Sequence, residues 1–143
     1  MDEEDLHALG EALITTSARI VRWAPLSTPV PLSLAAGRLL ARLNDTGPTR
    51  ISELALAERC SQPTITNHVK RLETAGFVER RSDPRDARAW MIGLTPRGLE
   101  ELISLRDSVS SGVEPYLSQL SRRDLKALRE GVEAMRRLMA LEG

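Results

Sequence analysis

The middle of the sequence restricts the possible folds most, because two helical segments there are separated by only a short turn. Ser52 is a candidate N-cap for a short helix with the sequence ELALAER, since a serine hydroxyl accepts a hydrogen bond from a first-turn N–H. A tight turn follows at Cys60. Ser61 is the candidate cap of a second helix from Gln62 to about Ala75, which Gly76 ends. This arrangement predicts a helix-turn-helix.

The second of these helices has an apolar inner face and a polar front. Ile65, Val69 and Leu72 share the inner face at helical spacing. The exposed front consists of small polar residues, amides, a proline and one lysine: Ser61, Gln62, Pro63, Thr64, Thr66, Asn67 and Lys70. Such side chains bond base edges and phosphates, so this pattern predicts a recognition helix for double-stranded DNA.

Two short strands are predicted after this helix. They are FVERR and AWMIGL, and the second alternates Trp90, Ile92 and Leu94 on one face. The residues between them, SDPRDAR, begin with turn residues and predict a hairpin loop. A helix-turn-helix followed by a β-hairpin is a winged helix. The predicted fold class is therefore mainly α, with a small β-hairpin wing and flanking helices at both chain ends.

The predicted wing tip carries Arg85 and Arg88 beside Asp83 and Asp86. The negative potential of the DNA minor groove attracts guanidinium groups, which predicts that both arginines contact DNA. Asp86 is placed to orient Arg88 through a charge-assisted hydrogen bond. The alternative is that these charges only pair with one another on a solvated surface, as exposed charges commonly do. The preceding helix-turn-helix favours the DNA-binding interpretation.

Amphipathic helices are predicted toward both chain ends. The first covers about 5 to 24 and ends before Pro25. The other three start at capping residues, which are Ser33 for a helix to Leu43, Thr95 followed by Pro96, and Ser121 with Asp124 three residues later.

The last helix has an apolar stripe with a heptad spacing. Its members are Leu125, Leu128, Val132, Met135 and Met139. Such a stripe can pack inside its own chain. Because the terminal helices lie on both sides of a compact central segment, the pattern favours an interface between two copies of the chain.

Composition limits the classes of protein. The chain has 143 residues, which is about one domain, and a formal net charge of zero. Residues 48–88 hold eight basic and six acidic residues, a net charge of only +2, so charge alone does not decide whether DNA is the partner. No apolar run approaches the roughly 20 residues that span a bilayer, and the start MDEEDLH is acidic where a signal peptide is basic. We expect a cytoplasmic protein without membrane contact.

No enzyme or metal site is predicted. One cysteine cannot form an internal disulfide, and two histidines make a zinc cage improbable. The sequence has no nucleophile elbow, no glycine-rich phosphate loop and no paired carboxylate and histidine arrangement. We expect no cofactor.

At these residues the chain resembles the MarR family of bacterial winged-helix transcription regulators. The matching segments are SELA at 52–55, SQPTITNHVKRLETAGFVER at 61–80, and DPRDAR running into LTPRG. In the last, Asp86, Arg88, Leu94, Thr95 and Gly98 fit the D-x-R, LT and G pattern of the family. The chain departs from the family pattern at two positions. Ala87 stands where many members have a second basic residue, so the expected minor-groove contact rests on Arg88, with help from Arg85. Asn67 stands where arginine is frequent, and because asparagine pairs with adenine whereas arginine prefers guanine, the operator sequence of relatives does not carry over.

The resemblance implies a single domain over 1–143, with the winged helix-turn-helix at about 33–95 and dimerisation helices at about 5–24 and 96–141. It also implies a homodimer that binds a pseudo-palindromic operator and usually acts as a repressor. Many relatives release DNA when a small phenolic or other aromatic ligand binds, and others when a cysteine is oxidised.

Several interpretations stay open at this point. Trp23 is either a wall of a ligand pocket or plain packing. Cys60 is expected to be a small buried residue without a redox role. Two alternative functions are a helical dimerisation or partner-binding module without DNA contact, and a thiol-based redox sensor that uses Cys60.

Overall fold

The computed structural model describes residues 1–142 and contains six helices and one three-stranded sheet. In chain order the elements are α1 (Glu3–Trp23), α2 (Leu34–Thr46), β1 (Thr49–Arg50), α3 (Ile51–Ala57), α4 (Gln62–Thr74), β2 (Val78–Asp83), β3 (Asp86–Leu94), α5 (Pro96–Leu117) and α6 (Arg122–Ala140). This is the mainly helical winged-helix class that the sequence predicts.

The chain divides into two compact units. Residues 1–27 and 109–142 form the first, and Thr28–Ser108 form the second. The second unit contains α2, α3, α4, the sheet and the start of α5. The predicted helix-turn-helix and wing therefore lie in one unit.

The predicted side-chain caps of four helices are confirmed. In each case a hydroxyl accepts a hydrogen bond from the N–H three residues later, which satisfies a first-turn donor. The pairs and their distances are Ser33 with Ala36 at 3.1 Å, Ser61 with Thr64 at 3.2 Å, Thr95 with Gly98 at 3.0 Å, and Ser121 with Asp124 at 3.0 Å.

The prediction that Ser52 caps α3 is wrong. The helix begins one residue before Ser52, at Ile51, and among the described residues no side chain caps it. Its N-cap position is Arg50, which is also part of β1 and pairs with Met91 of β3. Strand pairing therefore fixes the start of this helix.

Two other helix boundaries differ from the predictions. The first helix starts at Glu3 because Asp2 caps it, accepting from the N–H of Asp5 at 2.8 Å and donating its own N–H to the Asp5 carboxylate at 3.3 Å. The second helix continues past Leu43 to Thr46.

The second unit has a continuous hydrophobic core. Ile65, Val69 and Leu72 of α4 are buried in it, as their spacing predicts. The other buried members come from α2, α3, the turn after α4, the two long strands and α5: Ala36, Leu39, Leu40, Leu43, Leu54, Ala55, Phe77, Val78, Ile92 and Leu102. This core fixes which side of α4 remains uncovered.

The sheet has the order β1–β3–β2, with antiparallel pairing throughout. The short strand β1 is absent from the sequence-based prediction, because two residues are too few to show a period-2 pattern. Its residues Thr49 and Arg50 pair with Ile92 and Met91. The pairing attaches the base of the hairpin to the start of α3.

The first unit leaves its apolar helix faces uncovered in the single chain. Neither α1 nor α6 has a buried residue. The stripe on α6 is 37% exposed at Leu125 and 63% exposed at Met139. Trp23 packs edge to face against Tyr116, with ring centroids 5.0 Å apart.

Candidate nucleic-acid interface

The front of α4 is built by the cap Ser61 and the proline in the first turn. The Ser61 hydroxyl lies 2.7 Å from the Thr64 hydroxyl and also accepts the Thr64 N–H. Pro63 lies in the first turn, where a backbone N–H has no intrahelical acceptor. Its missing N–H therefore costs the helix no hydrogen bond. Ser61, Gln62, Pro63 and Thr64 are exposed, and the helix dipole gives this end a partial positive charge. The end is suited to hold a phosphate or a base edge.

The next turns of α4 separate the predicted contact residues into two groups. Asn67 and Lys70 are exposed, and within residues 1–142 neither side chain makes a hydrogen bond or ion pair. Thr66 is half-buried, and its hydroxyl donates to the Gln62 carbonyl at 2.8 Å. Asn67 and Lys70 are thus free for a partner, whereas the Thr66 donor is used within the helix.

The wing is longer, and its turn shorter, than the predicted loop SDPRDAR. Strand pairing continues through Ser82 and Asp83, and β3 begins at Asp86, so the turn consists of 84–85. The prediction of a seven-residue loop is wrong, because Ser82 pairs with Trp90 and Asp83 pairs with Asp86. The register shift leaves 87–89 without partners on β2, in a bulge of the kind that re-aims side chains.

Arg88 lies in this bulge and extends into solvent. Its side chain is 93% exposed. The Asp86 carboxylate accepts the Arg88 backbone N–H at 3.0 Å and approaches its Nε at 3.5 Å. Asp86 therefore restrains the backbone of Arg88 firmly and its guanidinium loosely.

The four arginines of the wing divide into two pairs. Arg80 bonds Glu73 of α4 at 3.2 Å. Arg81 bonds Glu79 at 2.9 Å and the Leu94 carbonyl at 3.1 Å. The Arg85 side chain makes no hydrogen bond or ion pair within the described part of the chain, and Arg88 has only the contact with Asp86. Arg80 and Arg81 stabilise the hairpin, while the other two are available to a partner.

The turn end of the wing is held by an ion pair that the sequence-based reasoning missed. Asp83 is 6% exposed and accepts hydrogen bonds from the Arg50 guanidinium, with Nε at 2.9 Å, and from the Arg85 backbone N–H at 2.8 Å. The Arg85 N–H and then Arg50 hold the pKa of the Asp83 carboxyl below its usual value, and the Asp83 carboxylate raises the pKa of Arg50. Asp83 therefore lies next to the turn, as predicted, but it is buried against Arg50 and not solvated. No local pattern links two residues so far apart in sequence.

Cys60 also differs from expectation. It is exposed, and its thiol donates to the Glu58 carbonyl at 3.3 Å. The preceding residue, Arg59, has φ of +53°, and this left-handed turn directs Cys60 outward instead of into the core.

Among residues 1–142, no group of three histidine, cysteine or acidic side chains is placed to hold a metal ion. In the same part of the chain, every helix is too short or too polar to cross a membrane.

Comparison with known proteins supports the same arrangement. A model of the MarR family matches residues 32–90. The HTH-type transcriptional regulator MT0903.1 of Mycobacterium tuberculosis is 28% identical over 118 residues, which are 82% of this chain and 81% of that protein. The HTH-type transcriptional repressor IacR of Pseudomonas putida is 26% identical over 111 residues, 77% of this chain and 62% of that protein.

A solved structure has the same fold. The structure of a MarR family protein from Bacillus stearothermophilus superposes with a TM-score of 0.72 at 20% identity, covering 98% of this chain and 99% of the other.

Proposed function

We propose that this chain, whose residues 32–90 match a model of the MarR family, is a homodimeric repressor that binds double-stranded operator DNA. The observation that supports DNA binding is the set of exposed polar and basic side chains on α4 and on the wing that follows it. Four of them lack a firm partner within residues 1–142: Asn67, Lys70, Arg85 and Arg88. In this proposal α4 enters the major groove, where Gln62, Thr64 and Asn67 read bases and Lys70 bonds a phosphate.

The wing completes the proposed contact. In this proposal Arg88, with Arg85, enters the minor groove. The neutral total charge of the chain does not oppose this contact, because attraction to DNA depends on the local distribution of charge. We assign the winged helix to about 33–95. Since DNA-bound regulators act where the chromosome is, we place the protein in the cytoplasm.

The second copy is proposed from the uncovered helix faces. Among residues 1–142, the stripe on α6 stays exposed to solvent, and Val132 at its centre is 44% exposed. The helices at about 5–24 and 96–141 form the proposed dimer interface. A two-fold dimer would place two α4 helices about 34 Å apart, one turn of DNA, which suits a pseudo-palindromic operator.

Repression and ligand response rest on relatives. The related protein IacR is named a repressor. We propose that this chain represses transcription and that a small aromatic or phenolic ligand releases it from DNA, with Trp23 as a candidate contact. Trp23 is 49% exposed and retains ring surface for a ligand beside Tyr116.

A gel shift with the DNA that flanks the gene for this chain tests the proposal. We expect a sequence-specific complex that weakens as salt rises, because phosphate binding releases counterions. A scrambled duplex of equal length is the control, and titration with small aromatic acids tests release. If no duplex binds at any salt concentration, the chain is a dimerisation or partner-binding module instead.

A further inference from the structure

Trp90 on the wing is not accounted for by packing. It is 52% exposed, whereas Ile92, two residues later on the same strand, is 0% exposed. Tryptophan is highly buried on average in folded proteins. The hairpin therefore extends past the core and presents an indole ring at the point where it leaves the body of its unit.

The position of Trp90 in the sheet shows which way its ring faces. Alternate residues of a strand share a face, so Trp90 lies on the same side of β3 as the buried Ile92. Arg80, the partner of Ile92 on β2, contacts Glu73 of α4 at 3.2 Å. This face of the hairpin is thus turned toward the recognition helix. Trp90 lies on it between Ile92 and the wing tip.

The geometry of DNA identifies what can occupy this position. If α4 enters the major groove and Arg88 the adjacent minor groove, one sugar–phosphate strand separates the two grooves. That strand must pass over the face of the hairpin between α4 and the tip. Trp90 lies on this face, roughly 7 Å along the strand from Arg88 at about 3.3 Å per residue.

We propose that Trp90 is a DNA-positioning residue that packs against the sugar–phosphate backbone between the two grooves, an inference that rests on the proposed function. The indole is suited to this surface, because its ring can cover a deoxyribose while Nε1–H donates to a phosphate oxygen. The contact is uncharged and reads no base. It fixes the depth at which the wing enters the minor groove.

Fluorescence tests the contact directly, since the chain has only two tryptophans. In the Trp23→Phe variant, Trp90 is the sole indole. We expect saturating DNA to shift its emission to shorter wavelength and to reduce quenching by acrylamide. Because the contact is to the backbone, a duplex of arbitrary sequence at low salt is a sufficient probe. The Trp90→Phe variant retains only Trp23 and is the matched control, whose quenching should change little.

Affinity measurements separate this role from that of the charged residues. We expect Trp90→Ala to weaken binding to every sequence about tenfold, or about 1.4 kcal/mol, without changing the dependence of log K on log salt. Trp90→Phe should lose only about threefold, since it keeps a ring and gives up one hydrogen bond. Lys70→Ala should instead reduce the salt slope by about 1 for all sequences alike.

The outcomes are distinguishable when binding is followed independently by anisotropy of a labelled duplex. If the duplex binds but the quenching of Trp90 is unaltered, or if Trp90→Phe and Trp90→Ala bind as the parent does, the inference about Trp90 is overturned and the proposed function stands. A parent protein that binds no duplex overturns both. Equal melting temperatures of Trp90→Phe and the parent exclude unfolding as the cause of lost affinity.

Discussion

At the scale of single residues, Thr95 and Gly98 together fix the start of α5. The Thr95 hydroxyl donates to the Gly76 carbonyl at 2.6 Å and accepts the Gly98 N–H at 3.0 Å. A Cβ atom at Gly98 would lie 2.0 Å from the Phe77 carbonyl oxygen. Threonine therefore ties α5 to the turn after α4, and glycine permits the close approach.

The first prediction concerns Gly98→Ala. We expect it to lower the free energy of unfolding by about 1–3 kcal/mol or more, because the Phe77 backbone must move to admit the methyl group. Urea denaturation measures the change. Gly93→Ala is the matched control, since its Cβ would meet the Arg81 guanidinium carbon at 2.6 Å and that flexible side chain can move away. The control should lose less than about 1 kcal/mol, the scale of an exposed ion pair. Equal losses in the two variants would contradict this explanation.

The second prediction concerns the dependence of stability on pH at Asp83. Its pKa is lowered in the folded protein by the Arg85 N–H and by Arg50, so its contribution to stability is complete above the unfolded pKa of about 3.9. The contribution is lost as pH falls through the lower, folded pKa. We expect the parent to be more stable than Asp83→Asn at pH 7, with the difference shrinking progressively below about pH 4. Urea midpoints measured across this range test it, and a difference that stays constant down to the lowest pH would refute the assignment.

At the scale of elements, what the sequence reveals depends on whether the cause is local. The caps Ser33 and Ser61 and the apolar spacing of α4 predict helices correctly, because the interactions that form them are within a few residues. The strand β1 and the pairing of Arg50 with Asp83 depend on partners more than thirty residues away. No propensity of the local sequence encodes them.

In the candidate interface, too, the features with local causes are predictable from the sequence and those that depend on distant residues are not. The exposed front of α4 is predictable from its three buried positions, since they fix the opposite side. The half-buried state of Thr66 and the exposure of Trp90 depend on how far neighbouring elements extend. The short turn at 84–85 depends on a register shift that a sequence of charged residues does not reveal.

The third prediction tests the wing as an element. Arg88→Ala should weaken operator binding by about 1–3 kcal/mol while leaving fold and dimer unchanged, because the side chain is solvent-exposed in the free protein. Asp86→Ala should also weaken binding, although simple electrostatics predicts a gain when a negative charge leaves a DNA-binding surface. The expected loss arises because the Asp86 carboxylate holds the Arg88 N–H at 3.0 Å.

Fluorescence anisotropy with the natural operator at fixed salt shows whether Asp86→Ala lowers or raises the affinity for DNA. Tighter binding by Asp86→Ala, or unaltered binding by Arg88→Ala, would mean that the wing charges are only a solvated surface.

At the scale of the whole molecule, the two units differ in how much apolar surface they bury, and this difference predicts that two copies associate. The unit formed by Thr28–Ser108 encloses its own core, whereas α1 and α6 bury none of their residues. Exposed apolar stripes of this size are unfavourable in water, and a second copy provides matching surface.

The fourth prediction tests this interface. Replacing both Leu128 and Val132 with glutamate places two charges on the α6 stripe, where each side chain is now 44–46% exposed. We expect sedimentation at micromolar concentration to give a dimer for the parent and a monomer for the double variant, because burying unpaired charges is costly. Lys126→Glu with Glu130→Lys, which exchanges an exposed i,i+4 pair on the same helix, is the control and should remain dimeric. A dimeric double variant would place the interface elsewhere.

The bulge of β3 has a consequence for how such a regulator diversifies. Residues 87–89 have no partner on β2, so strand pairing does not restrict which amino acids can stand at these positions. If the wing contacts DNA as proposed, substitutions there change which DNA is preferred with little penalty to folding. A library randomised at 87–89 should therefore yield many folded proteins with altered operator choice, whereas one randomised at 91–93, inside the paired ladder, should yield mostly unfolded ones.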